Sequence, residues 1–267
     1  MPELPEVETI RRDLDREFTG ERINEVSVTG VRSIRRHEVA DDFTRRLVGS
    51  KVDAVGRRGK YLTMKLDTGD VLIVHLGMSG QLLRCRAADP LDRHTHVVLD
   101  FEPGAQLRFV DPRTFGELFV TAPDDIEEMV PELAHLGPDP LELPIAWPRF
   151  ADMLHVRKSK LKPLLMDQRF LAGIGNMYAD EILFAAGLRY DRSSETLTAQ
   201  EVRRLYRSMI EVLTDAIKHR GSSLADEQYR DLFGQVGDFQ SQHQVYDREG
   251  KACRRCRSVI VRIKANG

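Results

Sequence analysis

Residues 61–76, YLTMKLDTGDVLIVHL, contain two runs of apolar and β-branched residues separated by a short polar segment. The runs Tyr61–Leu66 and Val71–Leu76 are each of strand length. The segment between them, Asp67-Thr68-Gly69-Asp70, has the residue types that turns prefer. This stretch predicts two consecutive strands, and the sequence on either side repeats the pattern.

Similar β-rich runs recur through the first half of the chain. They predict strands at Val26–Val31, Lys51–Val55, Thr95–Phe101, Gln106–Val110 and Leu118–Val120. A short helix is predicted before them, from Pro5 to Phe18. Regularly spaced short strands with Gly-containing turns are typical of an antiparallel sandwich or barrel.

The pattern changes after residue 122. Residues 123–148 are rich in Pro, Asp and Glu and fit neither strand nor helix periodicity, so we expect a linker there. Helical spacing follows at Arg149–Val156, Leu161–Met166, Met177–Ala186 and Ala199–His219. Thr198 is the expected N-cap of the last helix, with Glu201 as capping-box partner. We therefore expect an α+β protein with a β domain at 1–122, a helical domain at 149–244 ending in a loop, and a separate segment at 245–267.

The charge is unevenly distributed along the 267 residues. The net charge is −2, but residues 1–150 carry −7 and residues 151–267 carry +5. From Lys251 to Lys264 there are six basic residues and no acidic one. Such asymmetry is compatible with a nucleic-acid site, although an even solvated mixture of charges would also be ordinary. No apolar run approaches the roughly 18 residues of a membrane span, and the acidic start has no signal-peptide character, so we expect a cytoplasmic protein with no membrane partner.

Three cysteines are too few for a disulfide framework. Cys85 stands alone, whereas Cys253 and Cys256 form a CxxC motif. In a reduced compartment this motif favours metal binding or redox chemistry over a structural bridge.

The N-terminus offers a nucleophile. Small second residues favour removal of the initiator methionine, which would leave Pro2 with a free secondary amine of pKa near 8. Such an amine can attack a sugar carbon and form an iminium, while a neighbouring carboxylic acid moves protons. The alternative is purely structural, with proline at a helix start and Glu residues in the first turn.

Five strings together resemble the bacterial formamidopyrimidine-DNA glycosylases, in the same order and across essentially the whole chain. They are MPELPEVET at 1–9, RGKYL at 58–62, HLGMSG at 75–80, DPRTFG at 111–116 and LAGIGNMYA at 171–179. The resemblance implies an N-terminal antiparallel β-sandwich, a helix-two-turn-helix DNA-binding domain and a C-terminal β-hairpin zinc finger. It also implies a base-excision repair enzyme that removes 8-oxoguanine and formamidopyrimidines from damaged double-stranded DNA and cleaves the strand by β,δ-elimination. Since the sequence gives no evidence for oligomers, we expect a monomer.

The resemblance assigns roles in the chemistry. Pro2 is expected to be the Schiff-base nucleophile at C1′ of the damaged nucleotide, and Glu3 the general acid. Lys60 is expected on a β-turn, where it binds phosphates around the lesion, as suits a compact ammonium on a flexible stem. Glu6 is expected to support the site or contact the lesion.

The resemblance also assigns DNA contacts. Met78, Arg113 and Phe115 match residues that fill the gap left by an extruded nucleotide, a role suited to wedging, stacking and hydrogen bonding. Asn176 in Gly173-Ile174-Gly175-Asn176 is expected to bind backbone phosphate next to Lys60, and His75 to contact DNA as well. The residues from Arg220 onwards match a lesion-capping loop to which Ser222 and Ser223 contribute. These are the expected lesion and DNA contacts.

The C-terminus departs from the family pattern. The zinc finger of the family has four cysteines, and this sequence supplies only Cys253 and Cys256 before Gly267. Two thiolates do not complete a four-coordinate structural zinc site, so we expect a truncated hairpin at 245–267 holding half of a structural Zn²⁺ site. No redox cofactor is expected.

Three alternatives remain open. One is an endonuclease VIII-like enzyme of the same superfamily for oxidised pyrimidines, and another is a non-catalytic DNA-binding relative. The third is an unrelated protein in which the CxxC is a redox pair, although no βαβ pattern surrounds it.

Overall fold

The computed structural model describes residues 1–101, 104–142, 145–224 and 228–264. Eight strands form two antiparallel sheets of four, in the orders β1-β6-β7-β5 and β2-β3-β4-β8. The strands are β1 Ile23–Val28, β2 Val52–Arg58, β3 Tyr61–Leu66, β4 Val71–His75, β5 Gln81–Arg86, β6 Thr95–Phe101, β7 Ala105–Val110 and β8 Glu117–Thr121. The two sheets face each other across one apolar core, so the sandwich is confirmed over the barrel.

The opening stretch of sequence forms the predicted pair of strands. β3 and β4 pair antiparallel in a register that joins Tyr61 to His75 and Lys65 to Val71. Alternate residues of β3, such as Leu62 and Met64, point into the core between the sheets. β4 is buried on both faces, because Ile73 packs on the outer side of its sheet against Val130 and Leu133.

The chain contains eight α-helices within the described residues. They are α1 Leu4–Phe18, α2 Ala40–Leu47, α3 Ile126–Met129, α4 Pro131–Ala134, α5 Trp147–Val156, α6 Leu161–Met166, α7 Asn176–Ala186 and α8 Ala199–Lys218. Four short 3₁₀ turns lie at Val31–Ile34, Pro123–Asp125, Ser194–Thr196 and Phe239–Gln242. No helix among the described residues is long and apolar enough to cross a bilayer.

The capping box predicted for the longest helix forms. Thr198 Oγ1 accepts the N–H of Glu201 at 3.3 Å, and the Glu201 carboxylate accepts the N–H of Thr198 at 2.9 Å. Two backbone donors of the first turn are thereby satisfied, which fixes where α8 begins.

Four elements differ from the sequence predictions. β5 and α2 were not predicted, and the stretch predicted to lack periodicity contains α3 and α4. α3 and α4 are single turns whose apolar residues cover the outer face of the β4 sheet. Helices that short depend on packing against another element, so local periodicity does not reveal them.

Helix α1 joins the two halves of the molecule. Val7, Ile10 and Leu14 lie in the core of the sandwich, whereas Leu4 lies in the core of the helical region. Since the first turn of α1 enters the second core, the N-terminus is positioned by both halves.

Candidate active site

A cavity of about 380 Å³ lies where the sandwich meets the helical region. Its walls come from distant parts of the chain: the N-terminus, the β2–β3 and β4–β5 turns, the start of α7, and the segments after α8. The predicted site residues that line it are Pro2, Glu3, Glu6, Lys60, Met78, Asn176 and Ser222. The fold therefore brings together most of the residues that were predicted for catalysis.

Glu3 is held by the N-terminus of α7. Its carboxylate accepts the backbone N–H groups of Gly175 at 2.7 Å, Met177 at 2.9 Å and Tyr178 at 3.3 Å. These are amides that have no partner within the helix, and the helix dipole adds to their attraction for an anion. The turn that contains Asn176, from which a phosphate contact was expected, thus directs three backbone amides at Glu3 of the protein itself.

Gly175 is needed for this contact. A Cβ at position 175 would lie 2.5 Å from Glu3 Cδ and 2.6 Å from Oε1, closer than non-bonded atoms approach. The backbone of Gly175 is extended, at φ −127°, so a side chain is excluded by the carboxylate and not by the backbone conformation.

Burial and a nearby cation act on Glu3 in opposite directions. Burial raises the pKa of Glu3, while Lys60 and the three amides lower it, and the net direction is upward. Burial in turn lowers the pKa of Lys60, against the attraction of Glu3 and Glu6. The site thus places a buried carboxyl of raised pKa beside a partly desolvated ammonium of lowered pKa.

Glu6 lies one turn further along α1 and is also buried. It accepts the N–H of Glu3 at 2.9 Å, the hydroxyl of Tyr178 at 2.6 Å and the N–H of Ser222 at 2.8 Å. Burial is the largest cause that raises the pKa of Glu6, to about 7, and the charge of Glu3 adds to it. Two carboxyls with raised pKa values on one helical turn are suited to holding and passing protons near neutral pH.

Pro2 is buried, whereas Met1 is 56% exposed. In the chain described here Met1 is attached, so the Pro2 nitrogen is an amide and not an amine. Met1 itself lines the cavity, so its removal would open the Pro2 nitrogen to that space.

A buried ion cluster supports the turn that carries Lys60. Arg57 forms ion pairs with Glu8 of α1 and Asp139, and it donates to the Gly59 carbonyl at 2.9 Å. Gly59 has φ +58°, which the turn requires. This cluster joins α1, strand β2 and the segment after α4, and so fixes the position of Lys60.

Met78 lines the cavity from the β4–β5 turn, and Arg113 and Phe115 lie on the adjoining β7–β8 loop; these three residues form the rim. Met78 is 39% and Phe115 45% exposed, and the Arg113 guanidinium lies 5.0 Å from the Phe115 ring centre. Buried Asp111 joins the two segments by accepting the N–H of Gly116 at 2.7 Å and the hydroxyl of Ser79 at 2.5 Å. The backbone of both segments is therefore held in place while the side chains of Met78 and Phe115 remain exposed.

Asn176, which was predicted to bind phosphate, and His75, which was predicted to contact DNA, line different cavities, and Lys60 lines both. Asn176 is exposed at the start of α7 and bonds Tyr246. His75 lies apart from the first cavity, on a second one of about 530 Å³, with its ring 4.6 Å from that of Tyr61. Burial lowers the pKa of His75 to about 4, so the ring is neutral at physiological pH. Its Nδ1 accepts the N–H of Gly77 at 3.3 Å, which leaves Nε2–H as a donor.

The two serines predicted for the capping loop have different surroundings. Ser222 lines the cavity, and its N–H binds Glu6. The Ser223 hydroxyl instead donates to the Tyr229 carbonyl at 2.8 Å and accepts the N–H of Gly237 at 3.0 Å, away from the cavity. The next residues of the predicted loop, 225–227, lie outside the described residues.

The CxxC motif lies on a tight turn far along the chain from these groups. Cys253 is buried, Cys256 is exposed, and the N–H of Arg255 lies 3.4 Å from Cys253 Sγ. An antiparallel bridge joins Ala252 to Val259, as in the start of a hairpin. Among the described residues no group of three or more His, Cys, Asp or Glu side chains is placed to hold a metal. The residues present therefore do not fit a complete four-coordinate zinc site.

Sequence reasoning gave no role to the residues that support Glu6 and Lys60. Tyr178, Arg57 and Asp139 carry no local signal, because their side-chain partners lie at least 44 residues away in sequence. Tyr178, which bonds Glu6 across 172 residues, stands inside a quoted motif but was given no role.

The family comparisons cover most of the chain. Residues 1–118 match the formamidopyrimidine-DNA glycosylase N-terminal domain, and residues 136–228 match the formamidopyrimidine-DNA glycosylase H2TH domain. A formamidopyrimidine-DNA glycosylase of Pelotomaculum thermopropionicum is 42% identical over all of this chain and 95% of its own length. That of Salinispora arenicola is 45% identical over 98% of this chain and 91% of its own.

Solved structures agree with the sequence relatives. The MutM (Fpg) protein of Thermus thermophilus is 41% identical with a TM-score of 0.87, covering 99% of this chain and 94% of its own. The Lactococcus lactis Fpg in complex with DNA containing an abasic site is 32% identical with a TM-score of 0.89, covering 99% and 95%.

Proposed function

This chain belongs to the formamidopyrimidine-DNA glycosylase family, and from that premise we propose that it excises oxidised purines from double-stranded DNA and then cleaves the strand. One observation carries the proposal: buried Glu3, with a raised pKa, lies beside Lys60 in a cavity that the first residue of a methionine-free chain, Pro2, also lines. The Lactococcus lactis relative was solved with DNA containing Fapy-dG and with DNA containing an abasic site, which supports the same substrate class here.

The first step requires the free amine of Pro2. Its nitrogen lone pair forms a bond to C1′ of the damaged nucleotide, and the C1′–N bond to the base breaks. The base leaves with that electron pair and gains a proton, and opening of the sugar ring gives an iminium between Pro2 and C1′. Proton loss from C2′ then expels the 3′ phosphate, a second elimination expels the 5′ phosphate, and water releases the sugar fragment from Pro2. The result is a one-nucleotide gap.

Glu3 is the proposed general acid. Sugar opening needs a proton on the ring oxygen, and a carboxyl whose pKa is raised by burial retains its proton closer to neutral pH than an exposed one does. The three amides of α7 fix the carboxyl in place, so the proton is delivered from one position. Glu6, one turn away, is proposed to contact the lesion base together with Ser222, and Ser223 to shape the loop around them.

The cations and rim residues are proposed to hold the DNA. Lys60, Asn176 and the Nε2–H of His75 are donors for phosphates that flank the extruded nucleotide. Met78 on the β4–β5 turn and Arg113 and Phe115 on the β7–β8 loop are proposed to fill the space left in the duplex, which offsets part of the unstacking cost.

Cys253 and Cys256 are proposed as two ligands of a structural zinc ion. Their thiols lie on one tight turn, which supports the pairing, and no step of the reaction involves them. We also propose that the enzyme works in the cytoplasm, where bacterial DNA lies, and that the divisions at 122/123, 148/149 and 244/245 separate its structural units.

A single-turnover assay tests the function. A duplex with one 8-oxoguanine opposite cytosine is incubated with excess methionine-free protein, and base release and strand cleavage are followed separately. We expect both, and a matched duplex with 5,6-dihydrouracil in place of 8-oxoguanine to react more slowly. A preference for the oxidised pyrimidine would instead indicate the endonuclease VIII-like activity, and binding without either reaction would indicate a non-catalytic relative.

A further inference from the structure

A chain of hydrogen-bonding groups leads from Glu6 away from the cavity. Tyr178 Oη lies 2.6 Å from Glu6 Oε1 and 3.4 Å from Ser222 Oγ, and Ser222 Oγ lies 3.0 Å from Nε2 of His243. All four side chains are buried. These hydrogen-bonding groups come from α1, from α7 and, as Ser222 and His243, from the segments that follow α8.

His243 ends this chain and has no role in the reaction as proposed above. Its ring packs against Phe239 and Tyr246. Burial lowers its pKa, while the charges of Glu181 and Asp247 raise it and that of Arg254 lowers it, and the net direction is downward. The imidazole is therefore neutral at physiological pH, with one nitrogen as donor and the other as acceptor.

The surroundings of the ring decide which nitrogen accepts. Nε2 is the nitrogen beside Ser222, so Nδ1 is left to face the Tyr246 backbone, whose effect on the ring favours its protonated form; we infer that the Tyr246 carbonyl accepts from Nδ1–H. With Nδ1–H donating to that carbonyl, Nε2 is the acceptor, and the Ser222 hydroxyl donates to it. The Ser222 oxygen then keeps lone pairs for another donor, and the phenol of Tyr178 is the donor within reach.

We propose that His243 is a positioning residue for Glu6: by accepting the Ser222 hydroxyl proton, it keeps Ser222 Oγ available as an alternative acceptor for the phenol of Tyr178. When Glu6 is ionised, the phenol donates to it. When Glu6 carries a proton, the carboxyl donates to Tyr178 Oη and the phenol turns to Ser222. This inference rests on the proposed function only in taking Glu6 as a lesion contact.

The other groups that face Glu6 do not depend on His243. They are Glu3 on α1, Lys60 on the β2–β3 turn and Tyr229 after α8. Removing the imidazole acceptor frees the Ser222 hydroxyl to donate to Tyr178 Oη or to Glu6. Either bond favours the ionised carboxyl, so loss of His243 should lower the titration midpoint of Glu6.

The experiment measures that midpoint directly. Side-chain ¹³C carboxyl NMR of the DNA-free protein follows Glu6, whose resonance is assigned by its loss in Glu6→Gln. We expect His243→Leu to lower the midpoint by about 0.5 to 1 pH unit, the size of one hydrogen bond. His243→Gln, which keeps an acceptor, should restore most of it. His155→Leu serves as a matched control, because the His155 ring bonds only the Leu197 carbonyl outside this chain of groups.

A double variant distinguishes an effect transmitted through these hydrogen bonds from an effect of reduced packing around Glu6. Ser222→Ala removes the alternative acceptor and should also lower the midpoint, and adding His243→Leu to it should cause no further change. An unchanged midpoint in folded His243→Leu, or additive shifts in the double variant, would overturn the proposal. If His243→Leu does not fold, His243→Ala, which also removes the acceptor, takes its place alone and in the double variant with Ser222→Ala.

The excision assay distinguishes this inference from the proposed function. If Glu6 contacts the lesion as a proton-bearing group, the pH profile of single-turnover excision moves with the NMR midpoint in His243→Leu. A shifted midpoint with an unshifted profile would support the role of His243 and contradict the lesion role of Glu6.

Discussion

The floor and the rim of the cavity are built in opposite ways. On the floor, Glu3 and Glu6 are buried and each accepts three hydrogen bonds, five of the six from groups on other elements and one from the N–H of Glu3 to Glu6. On the rim, Met78 and Phe115 are 39% and 45% exposed, and Asp111 holds the two segments that carry them. The buried carboxyls of the floor have hydrogen-bond partners within the protein, whereas the rim exposes apolar side chains that a bound molecule such as DNA can cover.

This difference assigns separate tasks to the two regions. Preorganised, desolvated groups are suited to chemistry at fixed atoms. Exposed apolar and cationic side chains on a rigid loop are suited to insertion into another molecule. Substitutions on the floor should therefore slow reaction with every substrate, while those on the rim should matter only where a base must be extruded.

The largest expected effect is that of Glu3→Gln. Loss of the general acid should slow base release from 8-oxoguanine duplexes by about 10³-fold. The affinity for DNA should change little. Single-turnover rates and binding titrations check this. Glu17→Gln, at the other end of α1, is the matched control. A Glu3→Gln rate within a few-fold of wild type would remove Glu3 from the chemistry.

The next effect concerns pH and the stability of the floor. Since the pKa of Glu6 is raised from 4.5 to about 7, this carboxyl holds its proton in the folded protein but not in the unfolded chain between these values. Glu6 thereby lowers the free energy of unfolding by about 3 kcal/mol as pH rises through that window. His75 acts in the opposite direction below about pH 6.5, because burial lowers its pKa to about 4. Urea unfolding of the wild type and Glu6→Gln at several pH values therefore measures the Glu6 share as the difference between the two slopes. Equal slopes would contradict the buried-carboxyl account.

Gly175→Ala tests whether the floor depends on close packing. The new Cβ would meet the Glu3 carboxyl, and displacing it by about 1 Å should cost roughly 10²-fold in excision rate. Gly20→Ala is a useful control: it lies at φ +91° with no atom within 4 Å of its Cβ, so it should lower stability without changing the rate. Equal rates in the two variants would show that the α7 contact is not needed.

Phe115→Ala tests the rim and should have the smallest effect. Losing one stacking ring should slow excision from a duplex by about 10-fold, while reaction at a preformed abasic site stays close to wild type. Leu91→Ala, which removes another exposed apolar side chain, should change neither. A Phe115→Ala defect of equal size on both substrates would mean that floor and rim are not separate.

Local patterns predicted the regular elements but not how the site is supported. The limits of β3, β6 and α6 and the Thr198–Glu201 box follow from periodicity and capping, which act over a few residues. β5 was not predicted, because Arg84 and Arg86 interrupt its apolar run and its partner β7 lies further along the chain. The partnership of Glu3 with Gly175 spans 172 residues, so only the folded chain reveals it. Motif resemblance named Glu3 and Gly175 separately, and the structure joins them.

Borohydride trapping tests the central claim, that the free amine of Pro2 on the floor of the cavity is the nucleophile. Methionine-free protein is incubated with an 8-oxoguanine duplex and borohydride, and the N-terminal peptide is analysed by mass spectrometry. The account predicts a covalent DNA adduct on the Pro2 nitrogen that is absent when Met1 is retained. An adduct on Lys60 or another lysine, or no adduct from a confirmed Pro2 terminus, would contradict it.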